Sequence, residues 1–247
     1  MSGACRHQRQ GRFMIIEKSS LFRRGFAALF SLCLILPMIT GCHYREDSGV
    51  PLPEGKTVFD RIAVAPFQRV APEESLGGAV HCPLCGVTFN AAASPGNPEK
   101  VLEKLFLAEL EKERPKVTVI AGERVAGVYR RVSSDSLTVS PREVLRSAGS
   151  ELGAEGIVAG YVYRYRERKG VSYTVEQPAS VAFEIHLLRV SDGALVWRGS
   201  FDKTQSSLME DLFQFSSFFR GKGKWVTAEE LTGEGVEQVF KTFPGLP

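Results

Sequence analysis

The sequence predicts an α/β fold for residues 57–247: a single mixed-sheet α/β sandwich with an antiparallel meander. Three observations carry this. A short apolar run, "DRIAVAPF" (60–67), is followed by an alternation of helical and β-compatible segments. Three longer runs between 155 and 205 show the two-residue alternation of strands. Helix starts carrying Ser, Thr or Asn before Pro or Glu fall on either side of those runs.

Taken in order, "RIAV" is rich in β-compatible residues and is stopped by Pro66, which predicts a buried first strand. Residues 66–96 are rich in Pro, Gly and Ala and read as one long loop. In "NPEKVLEKLFLAELEKE" (97–113), Asn97 is placed to cap, Pro98 suits the first turn, and Leu102, Leu105, Phe106 and Leu110 recur at helical spacing. "KVTVI" (116–120) reads as a strand. A second helix runs through "SPREVLRSAGSEL", with Ser140 as cap, Val144, Leu145, Ala148 and Leu152 inward, and Gly153 as its stop.

In the first meander strand, Ile157, Ala159, Tyr161, Tyr163 and Tyr165 alternate with Val158, Gly160, Val162, Arg164 and Arg166. In the next, Val181, Phe183, Ile185 and Leu187 alternate with Ala182, Glu184 and His186, and Ser191-Asp192-Gly193 supplies a hairpin turn to the third. Helical patterns return at 208–219 and at 227–243, the latter with Thr227 and Glu230 at capping-box spacing.

Upstream of the domain, the chain changes character. Residues 1–41 hold six of the 31 basic residues and one of the 28 acidic ones. The remainder carries a formal charge of −2 instead of +3, which removes the electrostatic support for nucleic-acid binding. Arg23 and Arg24 precede an apolar run from Gly25 to Thr40. Sixteen helical residues reach roughly 24 Å, short of the roughly 30 Å hydrocarbon core, so a signal peptide is expected over 1–41 rather than a permanent span. Its end, Ile39-Thr40-Gly41-Cys42, resembles the bacterial lipobox. That resemblance implies cleavage before Cys42 and acylation of that residue, the one cofactor-like group expected. With His43 rather than Asp after Cys42, it also implies the outer membrane. Residues 42–56 are polar, with Gly and two prolines, and read as a flexible tether.

Catalytic signatures are sparse. Beyond residue 41 the chain holds only His43, His81 and His186, and no G-x-S-x-G. His186 beside Glu184 on a strand is expected to be an edge or half-buried structural histidine. "GKGKW" (221–225) lacks phosphate-loop spacing. The tyrosines and arginines of the first meander strand read chiefly as a core face opposite a charged face. Their second reading is a protein-contact edge, with Tyr161, Tyr163, Tyr165, Arg164 and Arg166 as partner-binding candidates. Leu212, Phe215 and Phe219 on the helix at 208–219 are candidates of the same kind.

Taken together, the lipobox, "RIAVAPF", "GAEGIVAGYV" and "VAFEIHLLRVSDGALVWRGSF" resemble the CsgG/LpoB-like group of outer-membrane lipoproteins, which share a fold with the amino-terminal domain of TolB. Gly153-Ala154-Glu155, Gly160, Gly193 and Trp197 carry the match. The resemblance implies a non-enzymatic, periplasm-facing adaptor or scaffold for an envelope protein, such as a peptidoglycan synthase. Its alternative is a subunit of a ring-shaped secretion complex, hence a homo-oligomer. The span between Tyr165 and Ala179 is short for the membrane-inserting hairpin a channel needs.

One motif stands outside this resemblance. "HCPLCG" (81–86) places two cysteines in C-x-x-C spacing inside the long loop. Gly86 stands where haem attachment requires histidine. His81, Cys82 and Cys85 supply three of the four ligands of tetrahedral zinc. In an oxidising compartment a local Cys82–Cys85 disulfide is the expected state, worth about 2 kcal/mol for so small a loop. A thiol or metal protein centred on these cysteines is the further alternative.

Overall fold

Residues Asp47–Pro247 fold as one unit in the computed structural model, which describes residues 50–51, 57–70, 78–92, 94–134, 138–171, 174–205 and 225–245. The expected signal peptide with Cys42, most of the expected tether, and the segment 208–219 with Leu212, Phe215 and Phe219, expected to be helical, lie outside the described residues. Among the described residues no helix is long and apolar enough to cross a membrane.

The central sheet has seven strands. Its order is β1 (Val50–Pro51), β11 (Leu195–Thr204), β10 (Ser180–Arg189), β7 (Gly156–Arg166), β2 (Arg61–Val64), β6 (Thr118–Ile120), with β3 (Gln68–Arg69) pairing β7 beyond the end of β2. β2 runs parallel to both β6 and β7, and β7, β10 and β11 form the expected antiparallel meander, so the sheet is mixed. Two residues of the tether stretch, Val50 and Pro51, pair opposite Arg198 and Trp197 as an edge strand.

Both faces of the sheet are covered, so its central strands β7 and β10 are buried nearly throughout. Helices α1 (Pro98–Glu113) and α4 (Ala228–Phe240) pack on one face. There Leu102, Phe106, Leu231 and Phe240 meet Phe183, Ile185, Leu187 and Trp197. Helices α2 (Glu123–Ser134) and α3 (Pro141–Glu151) pack on the other face, where Val125, Leu145 and Ala148 meet Ile157, Ala159 and Leu188.

The caps explain where the helices begin. Ser140 accepts from the Glu143 N–H, and Thr227 with Glu230 closes the full capping box. Asn97 differs from expectation: its side chain makes no capping bond, and Pro98 alone marks the start of α1. Helix α2 is an element beyond those expected from the sequence; Val125 is its one fully buried residue, and Val128 and Tyr129 pack beside it.

Two corrections bear on the site. The stretch 66–96 is not one structureless loop. It contains β3 and a hairpin, β4 (Gly78–His81) with β5 (Thr88–Ala91), in register from Gly78↔Ala91 to His81↔Thr88. A further short hairpin, β8 (Lys169–Val171) with β9 (Thr174–Gln177), lies between β7 and β10.

The alternation along β7 also breaks. Val162 pairs Phe183 and Arg164 pairs Ala182, leaving Tyr163 as the extra residue of a bulge. Tyr161 and Tyr163 therefore pack on the α2/α3 side, Arg164 reaches toward the same side to Asn90 O of the hairpin, and Tyr165 turns to the α1/α4 side.

A candidate metal centre beneath the hairpin

Strand alternation puts Glu184 and His186, two residues apart on β10, on one face of the sheet. That is the face on which the β4–β5 hairpin lies. β10 is an interior strand, so both side chains are fully buried, and the expectation of an edge or half-buried histidine is corrected. The reason is topological: β7 and β11 flank β10, and the hairpin closes over it.

The hairpin is seated by apolar and polar contacts. Phe89 stacks on Tyr163 with ring centroids 4.1 Å apart, and Leu84 is buried. Arg142 donates to Leu84 O at 3.2 Å, and Arg164 donates to Asn90 O at 2.8 Å while ion-pairing with Asp202. Its tip is a tight knuckle. The Cys82 N–H donates to Val87 O, the Gly86 N–H to Cys82 O, and the Cys85 N–H points at Cys82 Sγ at 3.5 Å. Gly86 sits at φ +74°, a left-handed conformation that a side chain disfavours.

The knuckle lowers both sulfurs onto β10. Cys82 Sγ lies 3.2 Å from His186 Nε2, and Cys85 Sγ lies 3.4 Å from Glu184 Oε2. His186 Nε2 and Glu184 Oε2 are 3.4 Å apart. The four donor atoms all fall within 4.8 Å of one another. Around them, Tyr163 O–H donates to Glu184 Oε2 at 3.2 Å, and Arg198 Nε holds Glu184 Oε1 at 3.2 Å. His186 Nδ1 is buried without a hydrogen-bond partner, and the ring meets Tyr161 edge-on.

Both cysteines are free thiols in the structure, rather than joined in the expected disulfide. The two sulfurs face different partners on β10, imidazole for one and carboxylate for the other. His81 is not part of the cluster: it is exposed, with Nδ1 3.0 Å from Thr88 Oγ1.

The electrostatics follow from proximity. The Cys85 thiol donating to Cys82 Sγ pulls the Cys82 thiol strongly down, against burial, and His186 adds to the effect. Cys85, holding that proton in a buried place beside Glu184, is pushed up. Burial alone would depress His186, but its hydrogen bonds to Cys82 and Glu184 outweigh this and leave it raised. Burial, with Glu184 alongside, raises Tyr163, which stays a neutral donor.

Of the other candidates, Tyr161 and Tyr163 are buried, Tyr165 and Arg166 are half-buried, and Arg164 is 9% exposed and already engaged with Ser180, Asn90 and Asp202. Tyr165 is pushed up to about 12, chiefly by burial. The C-x-x-C was visible in sequence, and so was Glu-x-His. Missing was any local signal that places residues 99 and 104 positions apart side by side.

Fold and cluster together define a mixed-sheet α/β domain with a buried thiol–imidazole–carboxylate centre. No family model matches the chain, and no curated protein matches it. Among solved structures it is similar to the PelC dodecamer from Paraburkholderia phytofirmans, at 13% identity and TM-score 0.43, over 78% of this chain and 94% of that one. It is similar to lipoprotein GNA1162 from Neisseria meningitidis, at 16% identity and TM-score 0.39, over 74% and 99%. A third similarity is to the LpoB C-terminal domain from Salmonella enterica, at 15% identity and TM-score 0.35, over 62% and 87%.

Proposed function

We propose that the protein is a lipid-anchored envelope lipoprotein whose α/β domain faces the periplasm and serves as a non-enzymatic adaptor for another envelope protein. The observation that carries this reading is the sequence of the leader: basic flank, apolar run 25–40, then Ile39-Thr40-Gly41-Cys42, followed by a polar stretch before the domain's first expected strand. The burial of the reactive groups agrees with it. Cys82, Glu184 and His186 are buried under the hairpin, and Cys85 beside them is half-buried. The ring-channel alternative finds no support in β8 and β9, whose three and four residues fall well below the roughly 9–11 that a membrane-spanning strand requires.

The test is crosslinking in intact cells from positions around the domain surface, with a Cys42→Ala variant alongside. The adaptor reading expects wild-type protein in the outer-membrane fraction crosslinked to an envelope protein. It expects Cys42→Ala to lose the membrane association while keeping its folded spectrum. Recovery of no envelope partner, or a Cys42→Ala variant that stays in the outer membrane, counts against it. A discrete ring of identical chains in mild detergent would favour the secretion-complex alternative.

A further inference from the structure

Glu184 and His186 are costly where they stand. Arg198 and Tyr163 meet the Glu184 carboxylate, yet a buried ion pair is commonly no better for stability than apolar side chains of the same volume. Ala182 and Leu188, on the same face of β10, show that the apolar solution suits this surface. The pair is therefore not explained by the needs of the fold, nor is the Cys-rich knuckle held against it.

We propose that Cys82 Sγ, Cys85 Sγ, His186 Nε2 and Glu184 Oε2 bind one divalent ion of the zinc class, as a closed tetrahedral site that fastens the β4–β5 hairpin to β10. The donor set is right for a borderline cation: two sulfurs, one imidazole nitrogen and one carboxylate oxygen. The spacing is close to that of a bound ion. Bonds of about 2.0–2.3 Å to a tetrahedral zinc leave its ligand atoms about 3.3–3.8 Å apart. Three of the six separations are 3.2 Å for Cys82–His186, 3.4 Å for Cys85–Glu184 and 3.4 Å for His186–Glu184, and all six lie within 4.8 Å, so the knuckle has only a small distance to close around the ion.

Charge also closes. Binding displaces to solvent the proton of Cys85 and the proton shared by the Cys82–His186 pair, leaving Nε2 bare, so two thiolates, a neutral imidazole and a carboxylate face an ion of charge two. The surplus negative charge is met by the Arg198 guanidinium on Glu184 Oε1. Arg198 and Tyr163 fix the carboxylate so that Oε2 faces the sulfur and the imidazole.

The site is closed because the protein supplies all four tetrahedral ligands, with Glu184 and His186 fully buried, Cys82 3% exposed and Cys85 half-buried, so the ion has no position for a substrate. This assigns it to structure rather than catalysis. It goes beyond the adaptor reading and does not depend on it.

The experiment uses the full chain produced in a bacterial envelope, extracted in mild detergent without chelator, with thiols trapped at lysis. We expect about one zinc per chain by elemental analysis. After removal of the ion, cobalt(II) should restore the thiolate charge-transfer and tetrahedral ligand-field bands. Glu184→Gln should keep its circular dichroism and weaken zinc at least tenfold. Cys82→Ser with Cys85→Ser should abolish the bands.

If the cysteine variant fails to fold, the wild-type cobalt spectrum decides alone. Three results would each overturn the proposal: a Cys82–Cys85 disulfide in the trapped native chain, no uptake of zinc or cobalt by the reduced chain, or unaltered affinity in Glu184→Gln.

Discussion

Gly160 sits at mid-strand in β7, opposite Ile185 of β10, with the ring of Phe67 laid across its Cα. A Cβ there would lie 2.6 Å from Phe67 Cε2 and 2.7 Å from Cγ, where ordinary contact begins beyond 3.4 Å. The ring has little room to withdraw. Phe67 is 4% exposed, its centroid is 5.6 Å from that of Phe106, and its backbone N–H donates to Glu103 Oε2 at 3.0 Å.

Overpacking of this kind costs about 1–3 kcal/mol. Alanine recovers about 0.5–1 kcal/mol of the glycine's chain entropy. Gly160→Ala is thus expected to destabilise by about 1–2 kcal/mol, which at a urea m-value of about 2 kcal/mol/M lowers the unfolding midpoint by about 0.5–1 M. The assay is urea unfolding followed by tryptophan fluorescence, with m unchanged. The clash can be isolated with Phe67→Leu. The double variant should be less destabilised than the sum of the singles by about 1 kcal/mol. A Gly160→Ala protein as stable as wild type, or strictly additive effects, would refute the reasoning.

Three further outcomes are expected. Phe89→Ala removes the ring stacked on Tyr163, and should cost about 3–5 kcal/mol and make the 78–91 hairpin the first site of limited proteolysis. Thr227→Ala opens the capping box of α4 and should cost about 1 kcal/mol in thermal unfolding, with Thr227→Asn near neutral. Arg198→Gln removes the guanidinium from Glu184 Oε1 and should weaken zinc about 10–100-fold in a competition titration, while leaving the cobalt band shape tetrahedral.

The sequence exposed what is locally encoded. β7, β10 and β11 were legible because alternation and the Ser191-Asp192-Gly193 turn are written in consecutive residues. α1, α3 and α4 were legible because Pro98, Ser140 and Thr227 mark their starts. α2 was passed over although Val125, Val128, Tyr129 and Val132 recur at helical spacing, because Gly127 and three valines are weak helix formers and no Ser, Thr, Asn or Pro marks its start. The bulge at Tyr163 was hidden for another reason. An extra residue in one strand is defined against its partner, and it turned an apparent row of three tyrosines into residues on two faces.

The centre was half visible in the same sense. Cys82-x-x-Cys85 asked for further ligands, and nearby His81 seemed to offer one. The hairpin's registry instead pairs His81 with Thr88 at the surface and leaves the remaining donors to a strand about a hundred residues later.

The centre is complete only when the whole domain is. A fragment that ends before β10 holds Cys82 and Cys85 but none of the partners that stand 99 and 104 positions further on, so its two sulfurs have only each other.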